Sequence, residues 1–120
     1  MPETRLGVAL EDIRAQSGFE AALLIDRTGS VLASTHAPES SPESLEVLLQ
    51  VALHAAGRAE SGKSVAGESE FFDWESRRVV CRWFQARKPG VLVVLVPKGK
   101  SYKWAVNRLV RELQRLIGTA

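Results

Sequence analysis

Cysteine occurs once in this 120-residue chain, at Cys81, so no intramolecular disulfide can form and a cysteine-rich zinc site is excluded. Histidine is almost as scarce: His36 and His54 have no second histidine, cysteine or carboxylate at metal-ligand spacing. Long hydrophobic runs are missing too. The longest, residues 21–25 and 91–96, fall far short of the roughly 20 residues that a membrane-spanning helix needs. The opening Met1-Pro2-Glu3-Thr4-Arg5 has neither the basic start nor the apolar stretch of a secretory signal, so a cytoplasmic location is expected. The fragment Ser61-Gly62-Lys63-Ser64 contains a Gly-Lys-Ser triplet, but it follows a helical pattern instead of a strand, and no phosphate-binding loop is expected. The acidic pairs Glu11-Asp12 and Glu68/Glu70 fit exposed faces and do not pair as general acid and base. No catalytic residue, metal ligand or cofactor is therefore assigned.

What is present suits one folded domain spanning residues 1–120. Composition is 45% hydrophobic and 25% charged, and a chain of this length buries about two thirds of its unfolded surface. Residues 4–16 place Leu6, Ala9, Leu10 and Ile13 on one helical face, with Gly18 as the stop. The apolar run Ala21-Ala22-Leu23-Leu24-Ile25, the turn Asp26-Arg27-Thr28-Gly29 and the segment Ser30-Val31-Leu32-Ala33-Ser34 read as a hairpin, Gly29 supplying a positive φ. After a loop at 36–42, Ser41 suits an N-cap with Pro42 at the first helical position, and the helix runs to about Ser61, ended by Gly62. Its apolar stripe (Leu45, Leu48, Leu49, Ala52, Ala56, Ala59) is widened by Val47, Val51, Leu53 and Ala55, more than one sheet face can cover.

Residues 68–75 form a strand carrying Phe71, Phe72 and Trp74, and residues 74–77 a turn. Residues 78–85 alternate as a second strand, with Cys81 as a small core residue. Past the turn Arg87-Lys88-Pro89-Gly90, residues 91–96 form a strand apolar on both faces, and thus central in a doubly covered sheet. The last helix, 101–117, sets Tyr102, Val106, Leu109, Leu113 and Leu116 against a face carrying Lys103, Arg108, Arg111 and Arg115. The order α-β-β-α-β-β-β-α implies an α+β sandwich: a five-stranded, mostly antiparallel sheet with helices on both faces.

Charge is uneven along the chain. Residues 1–75 carry 5 basic and 13 acidic side chains, a net of −8, while residues 76–120 carry 11 basic and one acidic, a net of +10. The expectation is that the two segments neutralise each other across one fold or between protomers. The alternative is a nucleic-acid-binding module, with Lys103, Arg108, Arg111 and Arg115 tracking phosphates and Tyr102 or Trp104 stacking on bases.

The Asp26-Arg27-Thr28-Gly29 hairpin, the Ala/Leu-rich helix at 45–59 and the element order together resemble the roadblock/dynein light chain domain over residues 4–117. The bacterial branch it resembles is that of MglB-like regulators of small GTPases. That resemblance implies a roadblock/profilin-like fold and a homodimer formed through the central helix and the third strand, with one sheet running across both protomers. It also implies a non-enzymatic adaptor that binds a small Ras-like GTPase. From the motifs and the short apolar runs, neither a cofactor nor a membrane partner is expected. The wide helical stripe and the aromatic strand point to self-association by themselves, because an uncovered aromatic edge strand invites aggregation. Leu48, Val51, Leu53, Ala55, Phe72 and Trp74 are the candidate dimer or partner interface residues.

Overall fold

A computed structural model describes residues 2–40, 42–60, 69–74, 77–84 and 90–118. The elements follow the expected order: α1 (Pro2–Ser17), β1 (Ala21–Asp26), β2 (Val31–His36), α2 (Pro42–Glu60), β3 (Ser69–Trp74), β4 (Arg77–Phe84), β5 (Gly90–Val96) and α3 (Lys103–Gly118). The strands form one sheet in the order β2-β1-β5-β4-β3, with every neighbouring pair antiparallel. The expected cap at Ser41, the helix stop at Gly62, the turn residues Glu75 and Ser76 and the 85–89 stretch lie outside the described residues.

The two fully apolar strands, β1 and β5, are neighbours at the centre, as their continuous hydrophobicity requires. Their side chains alternate between two cores. Ala22, Leu24, Leu92, Val94 and Val96 meet Leu10 and Ile13 of α1 and Val106, Leu109 and Leu113 of α3. Ala21, Leu23, Ile25, Val91, Val93 and Leu95 face α2, meeting Leu48, Ala52, Ala55 and Ala56. Strand β4 divides likewise, Val80 and Phe84 to the first layer and Val79, Cys81 and Trp83 to the second. Two helices therefore cover one face of the sheet and a single helix covers the other.

Local chemistry fixes the connections. Asp26 Oδ1 accepts hydrogen bonds from the Thr28 N–H (2.9 Å), the Thr28 hydroxyl (2.6 Å) and the Ser30 N–H (3.0 Å). One carboxylate thus organises the β1–β2 turn, with Gly29 at φ 92°. The last turn of α1 carries Arg14, which is buried: it donates to both carboxylate oxygens of Glu11 (2.7 and 3.0 Å) and to the carbonyl of Phe19 (2.9 Å). Glu11 also accepts the Thr35 hydroxyl, tying α1 to β2. Gly90 has no room for a side chain, since a Cβ there would stand 2.7 Å from the Ile25 carbonyl oxygen. Helix α3 begins two residues later than its apolar spacing suggests. The Tyr102 carbonyl accepts the Val106 N–H at 2.8 Å, so Tyr102 closes the first turn from outside the helix.

Candidate interaction surface

Helix α2 is where the sequence pattern left the inward face unresolved. The structure turns Leu48, Ala52, Ala55 and Ala56 to the sheet and leaves Leu45, Val47, Leu49 and Val51 half-buried at the margins. The outer row is Glu43, Glu46, Gln50, Leu53, His54 and Gly57, all exposed. Leu53 is the large apolar side chain of this row, 47% exposed, and lies over the β1–β2 turn: a Cβ on Gly29 would stand 3.0 Å from its Cδ2.

Two of the six candidate interface residues need correction. Leu48 is 0% and Ala55 3% exposed within a single protomer, so both belong to the core beneath α2 and have no surface to offer a partner. An alanine- and leucine-rich helix buries its small residues where it lies closest to the sheet, which takes up this part of the stripe. Val51 remains at the margin and Leu53 outside. The side chain of Phe72 lies outside the described residues; its backbone pairs with Val79 in the β3–β4 ladder.

Trp74, the last residue of β3, is half-buried against the α2-side core. Arg77, its ladder partner on β4, places its guanidinium 4.2 Å from the Trp74 ring centroid and donates to Glu20 at 2.8 Å. Sequence reading missed this cation–aromatic stack, although the hairpin register Trp74–Arg77 could have signalled it. Towards the other end of β4, Trp83 is 3% exposed and donates its Nε1–H to the Ala55 carbonyl at 3.0 Å, anchoring α2 to β4. Strand β3 is one edge of the sheet, and among the described residues no strand pairs with its outer side.

Two of the grooves formed by the described residues lie beyond this surface. One, about 520 Å³, runs between α1 and α3 and is lined by Arg5, Val8, Asp12, Gln16, Arg108 and Glu112, among others. The second, about 510 Å³, lies between the β3–β4 hairpin and the β5–α3 connection, against Asp73, Arg77, Arg78, Lys98 and Lys100. Neither lining includes a serine, cysteine or histidine that could act as nucleophile or base. Among the described residues no three potential metal ligands cluster, and no helix is long and apolar enough to cross a membrane.

The triplet Gly62-Lys63-Ser64 is preceded at five positions by Gly57, so residues 57–64 spell the full P-loop pattern Gly-x-x-x-x-Gly-Lys-Ser, a match the sequence reading passed over. Gly57 lies within α2, and the next described element is the strand β3. A P-loop joins a strand to a helix, whose N-terminus holds the phosphates. Here the order is reversed, and residues 61–64 lie outside the described residues.

No protein-family model and no curated protein sequence matches the chain. Solved structures do. The gliding protein MglB of Thermus thermophilus is similar over 100% of this chain and 93% of its own, with a TM-score of 0.77 and 24% identity. An MglB described as having a tetrameric arrangement gives a TM-score of 0.69 at 24% identity, over 99% of this chain and 92% of its own. A Roadblock/LC7 domain from Streptomyces avermitilis gives 0.67 at 13% identity, over 91% and 94%. Element order, the all-antiparallel sheet and near-complete coverage agree, and the chain has the roadblock/LC7 fold.

Proposed function

We propose that this chain is a non-enzymatic homodimeric regulatory or adaptor module that binds a small Ras-like GTPase and modulates its nucleotide cycle or its localisation. The observation that carries the reading is that one chain leaves both an outward apolar helix surface and an unpaired sheet edge uncovered. On α2, Leu53 lies at one margin of the outer row and Val47 and Val51 at the other, and β3 ends in the Trp74–Arg77 stack. Pairing β3 with its copy about a two-fold axis would extend the sheet across both protomers and bring both α2 helices to the same side. The similarity to MglB along the whole chain supports an assembly of this kind, one such MglB being described as tetrameric.

The test is affinity capture from native lysate in the presence of a GTP analogue, of GDP, or of nuclease, read by mass spectrometry. A Ras-like GTPase retained in one nucleotide state and released in the other is the expected result. Capture of no GTPase in either state, by a protein that light scattering shows to be dimeric, overturns the partner and leaves the assembly standing.

A further inference from the structure

We propose that the outer face of α3, on the side of the sheet away from α2, is a docking surface for an anionic lipid bilayer. The sequence expectation excluded a membrane partner on the lack of a spanning helix, and a surface-lying helix needs none. Trp104 is 68% exposed, the most solvent-exposed large hydrophobic side chain among the described residues, and Val8 of the neighbouring α1 is 55% exposed. Around Trp104 the helix shows Lys103, Arg108, Arg111 and Arg115 to solvent. Among the described residues no ion pair engages Lys103 or Arg111, whereas Arg115 pairs with Glu112 and Arg108 bonds the Gln16 side chain at 2.9 Å. The Arg108 guanidinium lies 5.6 Å from the Trp104 ring centroid, so cation and indole form one amphipathic unit. The first turn of α3 holds no acidic residue, although the helix dipole favours one there. Lys103 occupies it instead, with Lys98 and Lys100 exposed just before. Asp12 and Glu112 are the acids of the adjoining groove.

This combination discriminates among polyanions. A phosphate backbone would use the cations and could stack on Trp104, but offers nothing to the exposed Val8. A bilayer interface takes all three kinds of group: the indole at headgroup depth, the aliphatic side chain below it and cations against anionic headgroups. The shape agrees, since α1 and α3 form a two-helix layer over one sheet face. In the dimer proposed above, on which this step rests, the two-fold that brings both α2 helices together sets both α3 faces side by side on the opposite side. Two weak sites on one side of a rigid dimer bind a continuous surface with gain from bivalency.

Sedimentation with vesicles of phosphatidylcholine alone, and with about 30% phosphatidylserine, tests the surface, with a short DNA duplex as competitor. Binding is expected to be at least about tenfold tighter with phosphatidylserine and to weaken as salt rises. Trp104→Ala is expected to reduce it about tenfold, and Lys103→Glu with Arg111→Glu about a hundredfold or more, with circular dichroism and dimer mass unchanged. Sedimentation indifferent to phosphatidylserine, or to these substitutions, overturns the proposal, as does capture of the duplex in preference to vesicles. A protein that light scattering finds monomeric, yet that sediments with phosphatidylserine and loses this with Trp104→Ala, keeps the surface and overturns the dimer. A dimer that stays in the supernatant overturns the surface alone.

Discussion

Leu48 and Leu53 lie on the same helix, five residues apart, and the structure assigns them opposite roles. Leu48 is 0% exposed between α2 and the sheet, with Leu23, Val93 and Leu95 in the same core, whereas Leu53 is 47% exposed on the outer row. Truncating a buried leucine to alanine removes its transfer free energy and leaves a cavity, together about 2–5 kcal/mol. Against a whole-domain stability of about 5–15 kcal/mol, Leu48→Ala should lower the melting temperature by about 10–20 °C. Leu53→Asp should do little to a protomer, because half of the side chain already meets water. Covering that half in a partner is worth about 1 kcal/mol per protomer, hence about 2 kcal/mol for a two-fold interface, before the penalty of desolvating a carboxylate. The dimer dissociation constant should therefore rise at least about 30-fold, at 1.4 kcal/mol per decade. Thermal melts by circular dichroism and sedimentation velocity over a dilution series read the two effects separately. A Leu53→Asp dimer that dissociates within about threefold of the parent would refute the placement of α2's outer face in the interface. A Leu48→Ala protein that melts with the parent would refute the burial argument.

Other substitutions test how the fold is held. Arg14→Met should destabilise by about 2–3 kcal/mol in chemical denaturation, because it leaves the buried Phe19 carbonyl and the Glu11 carboxylate without their donor. Gly29→Ala should cost about 1–3 kcal/mol, since φ 92° disfavours any Cβ and Leu53 Cδ2 stands 3.0 Å away; an unchanged denaturation midpoint would contradict this. Hydrogen bonds from Arg14 hold the Glu11 carboxyl below its usual value. Its contribution to stability is thus present in full above the ordinary carboxylate range and is lost as the pH falls through the lowered value. Glu11→Gln should accordingly flatten the acid limb of the stability profile, and an acid limb identical to the parent's would assign that loss to other carboxylates.

Much of the fold was readable because apolar period and length reinforce each other. Runs 21–25 and 91–96 could only be doubly covered strands, and they are the central neighbours β1 and β5. Ends moved by one or two residues where capping decided them, as at Tyr102. The candidate interface was less legible. A helix apolar around more than half its circumference gives its hydrophobic period no sharp phase, so Leu48 and Ala55 could not be told from Val51 and Leu53 without the sheet's position. Arg14 escaped notice for another reason: its burial depends on Glu11 on one side and the Phe19 carbonyl on the other, a tertiary coincidence that no composition rule contains. The P-loop pattern at 57–64 errs in the opposite direction, matching in letters but beginning inside a helix.

The charge of +2 conceals where the two signs lie in space. Among the described residues, Glu20–Arg77 and Asp73–Arg78 join the acidic and basic segments, and both pairs engage the start of β4. Glu11 is taken by Arg14 of its own helix, and Glu112 by Arg115 of its own. Glu43 and Glu46 are exposed on α2, across the sheet from α3. Layers that pack about 10 Å apart put those helices about 20 Å apart, more than two Debye lengths at physiological salt. The acids of α2 therefore cannot quench the cations of α3, and the protein behaves as two surfaces of different character. One is a mixed apolar and acidic helix on the sheet face opposite α3. The other is a basic, indole-bearing helix whose attraction for a polyanion should rise as salt is lowered, at a net charge that by itself predicts none.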